Sequence, residues 1–352
     1  MIAPASNIPT AREIAAGAEQ MLARRLAAHC AAYKGAQPAR AILQLLVTGV
    51  AFLALSALML SAVKDAYWLT ALATLPAAGL MVRLFIMQHD CGHGSFLASR
   101  AANDRVGRLI SLVTLTPYGY WRLSHARHHA TSGNLDRRGT GDVTTLTVAE
   151  YRALPLRARV RYRLYRNPLI LLLVGAPAHF MLLQRLPPRL SLAARDAWLS
   201  VLSLNAAIAV LYGLLAAAVG IETLLLAFLP MIVIASWIGG WMFYVQHQFE
   251  DANWTRNKDW DFQRAALHGS SYLVLPRLLR WFTGSIGLHH VHHLNSMIPN
   301  YRLQECLEGS AELHSMSRLT IAGSLKSLRL ALWDEERRTL VGFRDICRNA
   351  TA

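Results

Sequence analysis

Histidines in this sequence are grouped in short motifs whose spacing suits metal binding. The stretch Gln88–Phe96, QHDCGHGSF, contains two of them four residues apart, His89 and His93. On a helix that continues through this stretch, both rings would lie on one face, one turn apart, where they could reach the same ion. The residue types and their spacing therefore predict a metal-binding element here.

Two later motifs, HARHH and HHVHH, contain three suitable histidines each. Their spacing of i, i+3 and i+4 places three rings on one helical face. A further candidate follows the last long apolar run, in YVQHQFED. The additional candidates are His125, His128, His129, His247, His289, His292 and His293.

The number of candidates favours two metal ions. Imidazole binds iron, copper, zinc and nickel, so histidine content alone does not identify the metal. Eight or nine ligands exceed the about four to six that one ion uses, which indicates two adjacent ions. A structural zinc site would usually include thiolates. The cysteines show no paired spacing and are expected to be inert thiols: Cys30, Cys91, Cys306 and Cys347.

Other polar residues near the motifs are candidates to orient the ligands through the second ring nitrogen. Inside HHVHH, one histidine would point about 100° away from its neighbour His289 and is expected to have a supporting role. The supporting candidates are Asp90, Asp142, Glu250, Asp251, Asn295 and His290. Isolated histidines are expected to be ordinary surface or core residues: His29, His179, His268 and His314.

The composition is that of an integral membrane protein. Hydrophobic residues make up 54% of the 352 residues, charged residues only 16%, and the mean hydropathy is +0.28; these values are typical of membrane proteins. The formal net charge is +15, but Lys and Arg lie between the apolar runs, as the positive-inside rule expects. This distribution argues against nucleic-acid binding. The basic surface could simply orient the chain, or it could also bind an acidic electron donor and anionic headgroups.

Four apolar runs are long enough to cross a hydrocarbon core of about 30 Å. They are residues 41–63, 66–87, 197–220 and 223–245. We expect two helical hairpins, with Arg83 late in the second run either reaching the interface or facing protein. The connector Gly220-Ile221-Glu222 has no positive charge, which would place it outside and both termini and all histidine motifs in the cytosol. The predicted fold is an all-α membrane protein with four transmembrane helices and a cytosolic histidine-rich cap.

Two shorter apolar segments are expected to be interfacial or re-entrant. Residues 109–121 are too few to cross and are expected to form an interfacial or partly buried helix. Residues 167–184 contain Gly175 and Pro177, which are expected to break a helix. Basic residues on both sides of 167–184 favour a re-entrant or interfacial hairpin over a full crossing. These flanking residues are Arg161, Arg163, Arg166, Arg185, Arg189 and Arg195.

The expected division of the chain is a cytosolic N-terminal arm, residues 1–40, a membrane domain, residues 41–302, and a cytosolic C-terminal tail, residues 303–352. The arm contains a predicted helix over residues 11–32 and does not read as a signal peptide. Glycines at 239, 240, 284 and 287 are expected to permit close helix packing rather than to bind phosphate.

Four stretches together resemble the membrane fatty acid desaturases, in particular their bacterial acyl-lipid delta-12 (omega-6) branch. They are HDCGHGSF, SHARHH, QHQFED and WFTGSIGLHHVHHLNSMIPNY, and the resemblance covers roughly residues 80–302. It implies a non-haem di-iron centre bound by the nine histidines. Such a centre uses O₂ and two electrons to introduce a cis double bond into an acyl chain, and releases water.

The resemblance also implies partners and a location. The chain has no cytochrome b5-like HPGG segment, so the electrons are expected from ferredoxin or another small carrier. The expected substrate is an acyl lipid or another fatty-acyl compound, and the expected location is the bacterial inner membrane. Three alternatives stay open. The first is a di-iron hydroxylase or ketolase that acts on a carotenoid, an alkane or a related lipid. The second is a membrane metal carrier, and the third is a zinc hydrolase. The last is disfavoured because no HExxH motif is present.

Overall fold

The structure is a computed structural model that describes residues 11–139, 141–187 and 192–348, and it is mostly helical. Arg189, used in the topology argument, and the last four residues of the expected C-terminal tail lie outside the described residues. The N-terminal helix is α1, Ala11–Ala31, close to the predicted range.

Within the described residues, four helices are long and apolar enough to cross a membrane, and they correspond to the four predicted spans. They are α2, Pro38–Ala62; α3, Tyr67–His93; α9, Leu192–Val219, whose apolar part begins at Arg195; and α10, Ile221–His247. α3 packs against α2 and α10, and α10 also contacts α9. Large apolar side chains on the outward faces are exposed, as a lipid environment requires; examples are Leu43, Leu53, Leu72, Val210 and Leu214. The protein is a membrane protein.

Both α3 and α10 extend beyond the apolar runs and include histidines in their last turns. α3 ends directly after His93, because Gly94 adopts a left-handed conformation with φ 79°. A residue without a side chain adopts this conformation at little cost, which makes glycine a common helix stop. The helix therefore runs through the QHDCGHGSF motif, as the metal-binding prediction requires.

Arg83 faces protein rather than the interface. It is 7% exposed, its Nε donates to Thr48 Oγ1 at 3.1 Å, and its guanidinium lies 4.2 Å from the centre of the Trp281 ring. The guanidinium also donates to the Trp281 carbonyl. These contacts replace part of the hydration that a buried charge loses.

The segment 109–121 is not one helix, contrary to the expectation. It is divided between α4, Arg100–Thr114, and α5, Tyr118–Thr131. Leu115 between them has φ 57°, and Pro117 occupies the N-cap of α5. Proline disfavours the helical conformation at the preceding residue, which favours a helix end at this point.

Gly175 and Pro177 do not break the helical path of segment 167–184, also contrary to the expectation. A π-helical turn, Ile170–Gly175, leads directly into α8, Ala176–Met181. Proline lacks an N–H and leaves the carbonyl four residues earlier without its helical donor. Here that carbonyl belongs to Leu173, and the indole of Trp237 on α10 donates to it at 3.2 Å.

The sharp bend lies earlier, between α7, Leu156–Tyr165, and the helical stretch Ile170–Arg185, and it measures 70°. If this bent pair counts as one span, the number of candidate spans rises to five. Whether the segment crosses the membrane stays a prediction.

Contrary to the all-α expectation, the described part of the chain contains two small β-sheets. The first sheet contains β1, Leu146–Thr147, β4, Leu330–Asp334, and β5, Thr339–Gly342. The strand β4 pairs parallel with β1 and antiparallel with β5. A second pair joins β2, Tyr272–Leu273, to β3, Arg318–Leu319. Strands of two residues have no detectable alternation in the sequence, and their partners are far away in the chain. The C-terminal segment is thereby attached to the loop that follows α5.

Short helices complete the cap around the ends of α3 and α10. They are α6, Val148–Ala153; α11, Phe262–His268; α12, Arg277–Phe282; α13, His289–Leu294; α14, Asn300–Glu308; α15, Ala311–Ser315; α16, Ile321–Ser327; and α17, Asp345–Arg348. All six residues of α13 are buried. They are enclosed by a core that includes residues of α1, α10, α11 and α14.

Tight packing occurs at three of the four glycines singled out in the sequence. A Cβ on Gly240 would lie 2.5 Å from the Ala176 Cβ, one on Gly284 would lie 2.8 Å from Ile86, and one on Gly287 would lie 2.8 Å from the Leu273 carbonyl oxygen. Gly239 has only an ordinary contact, 3.7 Å from Phe180.

Candidate metal centre

The nine predicted histidines converge, although they come from four separate helices. α3 supplies His89 and His93, and α10 supplies His247 at its last residue. Three come from α5 and three from the buried α13, each set at i, i+3 and i+4. The rings of His89 and His93 are 4.7 Å apart, centre to centre, as expected for one helical turn.

The ring nitrogens form two groups, and within each group one nitrogen per residue lies within 4.8 Å of all the others. The first group has five members: His89, His93, His125, His129 and His292. The second has four: His128, His247, His289 and His293. α5 and α13 each contribute to both groups, because their triads divide between them.

Distances within the groups suit metal ligands. The Nε2 atom of His125 lies 3.1 Å from those of His93 and His129, and the His247 Nε2 lies 3.1 Å and 3.0 Å from those of His128 and His289. A neutral ring has one N–H and cannot satisfy several such contacts by hydrogen bonding. Ligand nitrogens about 2.1 Å from a shared ion and at right angles to one another are about 3.0 Å apart.

Buried nitrogens without partners point to the same conclusion. The Nε2 atoms of His89 and His293 are buried and have no hydrogen-bond partner. A buried polar atom without a partner is costly, and a metal ion is one way of satisfying it. The described residues therefore fit two metal ions, each bound by imidazoles.

One carboxylate supports each group, as the sequence suggested for Asp90 and Asp142. Asp90 lies 3.0 Å from Nδ1 of His89, and Asp142 contacts Nδ1 of His128. Asp90 is itself fixed by Asn300, whose backbone N–H and side-chain amide donate to its other oxygen at 2.6 Å and 2.8 Å. A carboxylate on Nδ1 sets the tautomer so that Nε2 presents its lone pair, and makes that nitrogen more basic.

The other supporting candidates lie elsewhere. Glu250 and Asp251 are exposed, and in the described chain neither contacts a histidine. Asn295 accepts from the backbone N–H of Met297 and stabilises a turn. His290 is buried with Nε2 3.0 Å from the Leu313 carbonyl oxygen, so it connects α13 to the C-terminal segment. Their nearness in sequence to the motifs did not bring them to the site.

Two contributors escaped the sequence reasoning. The backbone carbonyl of Gly269 lies 3.1 Å from Nδ1 of His247 and takes the role that a carboxylate has elsewhere. Trp121 stacks on His125, with ring centres 4.5 Å apart and planes at 16°, and also lies 5.6 Å from the His89 ring. A signal for Trp121 was its position four residues before His125, on the same helical face.

Burial keeps five of the histidines on α5 and α13 neutral. It holds the pKa of each of these five rings well below the usual range, and the neighbouring histidines lower it further, since a charged ring would meet other charged rings. This applies to His125, His129, His289, His292 and His293. A neutral ring is the form that binds a metal ion.

Comparison with known proteins identifies the family of the chain. A sequence model described as fatty acid desaturase matches residues 66–321. A fatty acid desaturase of Bacillus subtilis is 40% identical over 323 residues, which is 92% of this chain and 91% of that protein. Two Synechocystis proteins are also similar. An sn-1 acyl-lipid omega-3 desaturase (ferredoxin) is 29% identical over 71% of this chain and 69% of its own length, and an sn-1 oleoyl-lipid 12-desaturase is 28% identical over 62% of both chains. The chain therefore belongs to the fatty acid desaturase family.

Proposed function

We propose that the protein is an oxidoreductase that introduces a cis double bond into the acyl chain of a membrane lipid or fatty acid, using O₂ and two histidine-bound iron ions. The observation that carries this proposal is the pair of adjacent imidazole groups, one with five and one with four members, in a chain of the desaturase family. A single structural zinc would need only about four ligands.

The reaction itself requires redox chemistry. An unactivated methylene has no acidic proton, so acid–base groups alone cannot remove its hydrogens; iron together with O₂ supplies the oxidising power. One O₂, two electrons and two protons convert a –CH₂–CH₂– unit into –CH=CH– and two molecules of water.

Groups of the protein orient the histidine ligands and shield the site from water. Asp90, Asp142 and the Gly269 carbonyl fix the ligand rings through Nδ1. Seven of the nine rings are at most 9% exposed, which keeps bulk water from most of the site and limits side reactions. Trp121 holds the His125 ring on its open side by stacking.

We further infer the placement of the chain. Lys and Arg between the spans favour a bacterial inner membrane protein with both termini and the histidine-rich cap in the cytosol, and the four spans as two hairpins. The proposed division remains an N-terminal arm (1–40), a membrane domain (41–302) and a C-terminal tail (303–352). A relative whose name includes ferredoxin supports a ferredoxin-type electron donor.

Expression in a host that makes only saturated and monounsaturated lipids tests the proposal. We expect gas chromatography of the fatty-acid methyl esters to show a new unsaturated acid, and His289→Ala to abolish it. The matched control is His290→Gln, in the same motif but outside both groups, which should retain product. A hydroxylated product would contradict desaturation, and about one zinc ion per purified chain would contradict the two-iron site.

A further inference from the structure

The metal centre approaches the surface at one edge, formed by His93 and His125. These two rings are half-buried, whereas the other seven are at most 9% exposed. Trp121, stacked on His125, is half-buried as well. Electron tunnelling weakens steeply with distance, so a donor bound at this edge would have the shortest route to the histidine groups.

Four arginines lie on the two helices beside this edge: Arg100, Arg105 and Arg108 on α4 and Arg122 on α5. We call this surface the basic face. Arg100 reaches the motif directly, since its guanidinium donates to the Gly92 carbonyl at 3.3 Å. Arg122 lies one turn before His125 on α5, on the same side of the helix.

One carboxylate on α4 offsets part of this charge. Asp104 lies 3.1 Å from the Arg122 guanidinium and 3.4 Å from Nε of Arg100. Arg105 and Arg108 are exposed, and no ion pair in the described part of the chain involves either of them. The two helices beside the half-buried edge of the metal centre therefore carry excess positive charge on the basic face.

We propose that the basic face is the docking site of an acidic one-electron carrier protein, such as a ferredoxin. Complementary charge accelerates and orients the encounter of two proteins. The carrier would lie over Trp121 and the His93–His125 edge. Each docking transfers one electron, leaving the carrier oxidised, and two dockings supply the two electrons that end in water. This inference rests on the proposed function, because a site that consumes no electrons needs no donor.

A charge reversal on the basic face tests the docking. The variant Arg105→Glu/Arg108→Glu changes two exposed side chains that contact no histidine. Its control, Arg157→Glu/Arg161→Glu, makes the same change on α7, which contributes no histidine to either group. We expect kcat/KM for reduced [2Fe–2S] ferredoxin to fall at least about tenfold in the first variant and little in the control.

A second reductant separates the possible outcomes. With photoreduced deazariboflavin, a small uncharged donor, both variants should desaturate substrate as the wild type does. If wild-type protein forms no alkene with either reductant, the proposed function fails and this inference fails with it. If wild-type protein is active and both variants behave alike with ferredoxin, the docking site alone is wrong. Equal loss with both reductants would also overturn it, since the arginines would then be structural.

Anionic headgroups are the competing occupant of the basic face, because exposed Leu109 and Leu123 lie on the same two helices. The ferredoxin assay is therefore repeated in neutral detergent and in vesicles containing phosphatidylglycerol. A defect seen in both supports protein docking. A defect that appears only with the anionic lipid would assign the face to headgroups and overturn the proposal.

Discussion

Replacing Asp142 by Asn is expected to weaken one metal site selectively. The Asp142 side chain is 5% exposed and contacts Nδ1 of His128, in the second group. Asn has nearly the same shape and can still accept from the ring, so the fold should persist while the negative charge is lost. Removing such a supporting interaction typically lowers metal affinity about 10- to 100-fold, or about 1.4 to 2.7 kcal/mol.

The first group should be less affected, because its carboxylate is Asp90 rather than Asp142. We therefore expect the wild type to bind two ions tightly, whereas the second ion in Asp142→Asn needs about 10- to 100-fold more free iron. Anaerobic titration of stripped protein with Fe(II) against a chelator of known affinity measures both events. Metal analysis after gel filtration gives the number of ions retained.

The matched control is Asp251→Asn, the same chemical change at an exposed residue four positions after His247. It should titrate as the wild type does. If Asp142→Asn and Asp251→Asn give the same curves, the carboxylate does not support the second group and the geometric argument is refuted. If Asp142→Asn weakens both ions equally, the two groups are not separable in the way the structure divides them.

Other expected outcomes concern stability and packing. In metal-free protein, the buried rings of His129, His292 and His293 have lowered pKa values. Below about pH 6.5 the unfolded chain therefore binds more protons than the folded protein, and the free energy of unfolding falls; a Tm that stays constant from pH 7 to 5.5 would contradict this. Gly240→Ala should lower the free energy of unfolding by about 1–3 kcal/mol, because the new Cβ would meet Ala176 at 2.5 Å. The control Gly213→Ala, at a position with open space around it, should leave stability unchanged, and thermal melts of both variants test this.

Sequence alone was sufficient for the features that depend on local spacing. The pair His89 and His93 falls in one group, as expected for rings four residues apart on one helical face, and the long apolar runs correspond to the long helices. The division of the α5 triad was not predictable in this way. Its members share a helical face, yet His125 and His129 join one group and His128 the other, since the partner rings on other helices decide the grouping.

Features that depend on distant parts of the chain were missed for the same reason. Asn300 reaches Asp90 across 210 positions of sequence, and the Gly269 carbonyl supports His247 without any side chain to mark it. Glu250 and Asp251 were near a motif in sequence but face solvent. Pro177 was expected to break a helix, but the Trp237 indole compensates for the missing hydrogen bond.

The shared triads on α5 and α13 have a mechanical consequence. Each of these helices contributes rings to both groups. The distance between the two groups therefore depends on the spacing of residues within one turn of each helix. Neither helix can shift without displacing both sets of rings together. The separation of the two groups is therefore set by α5 and α13 together.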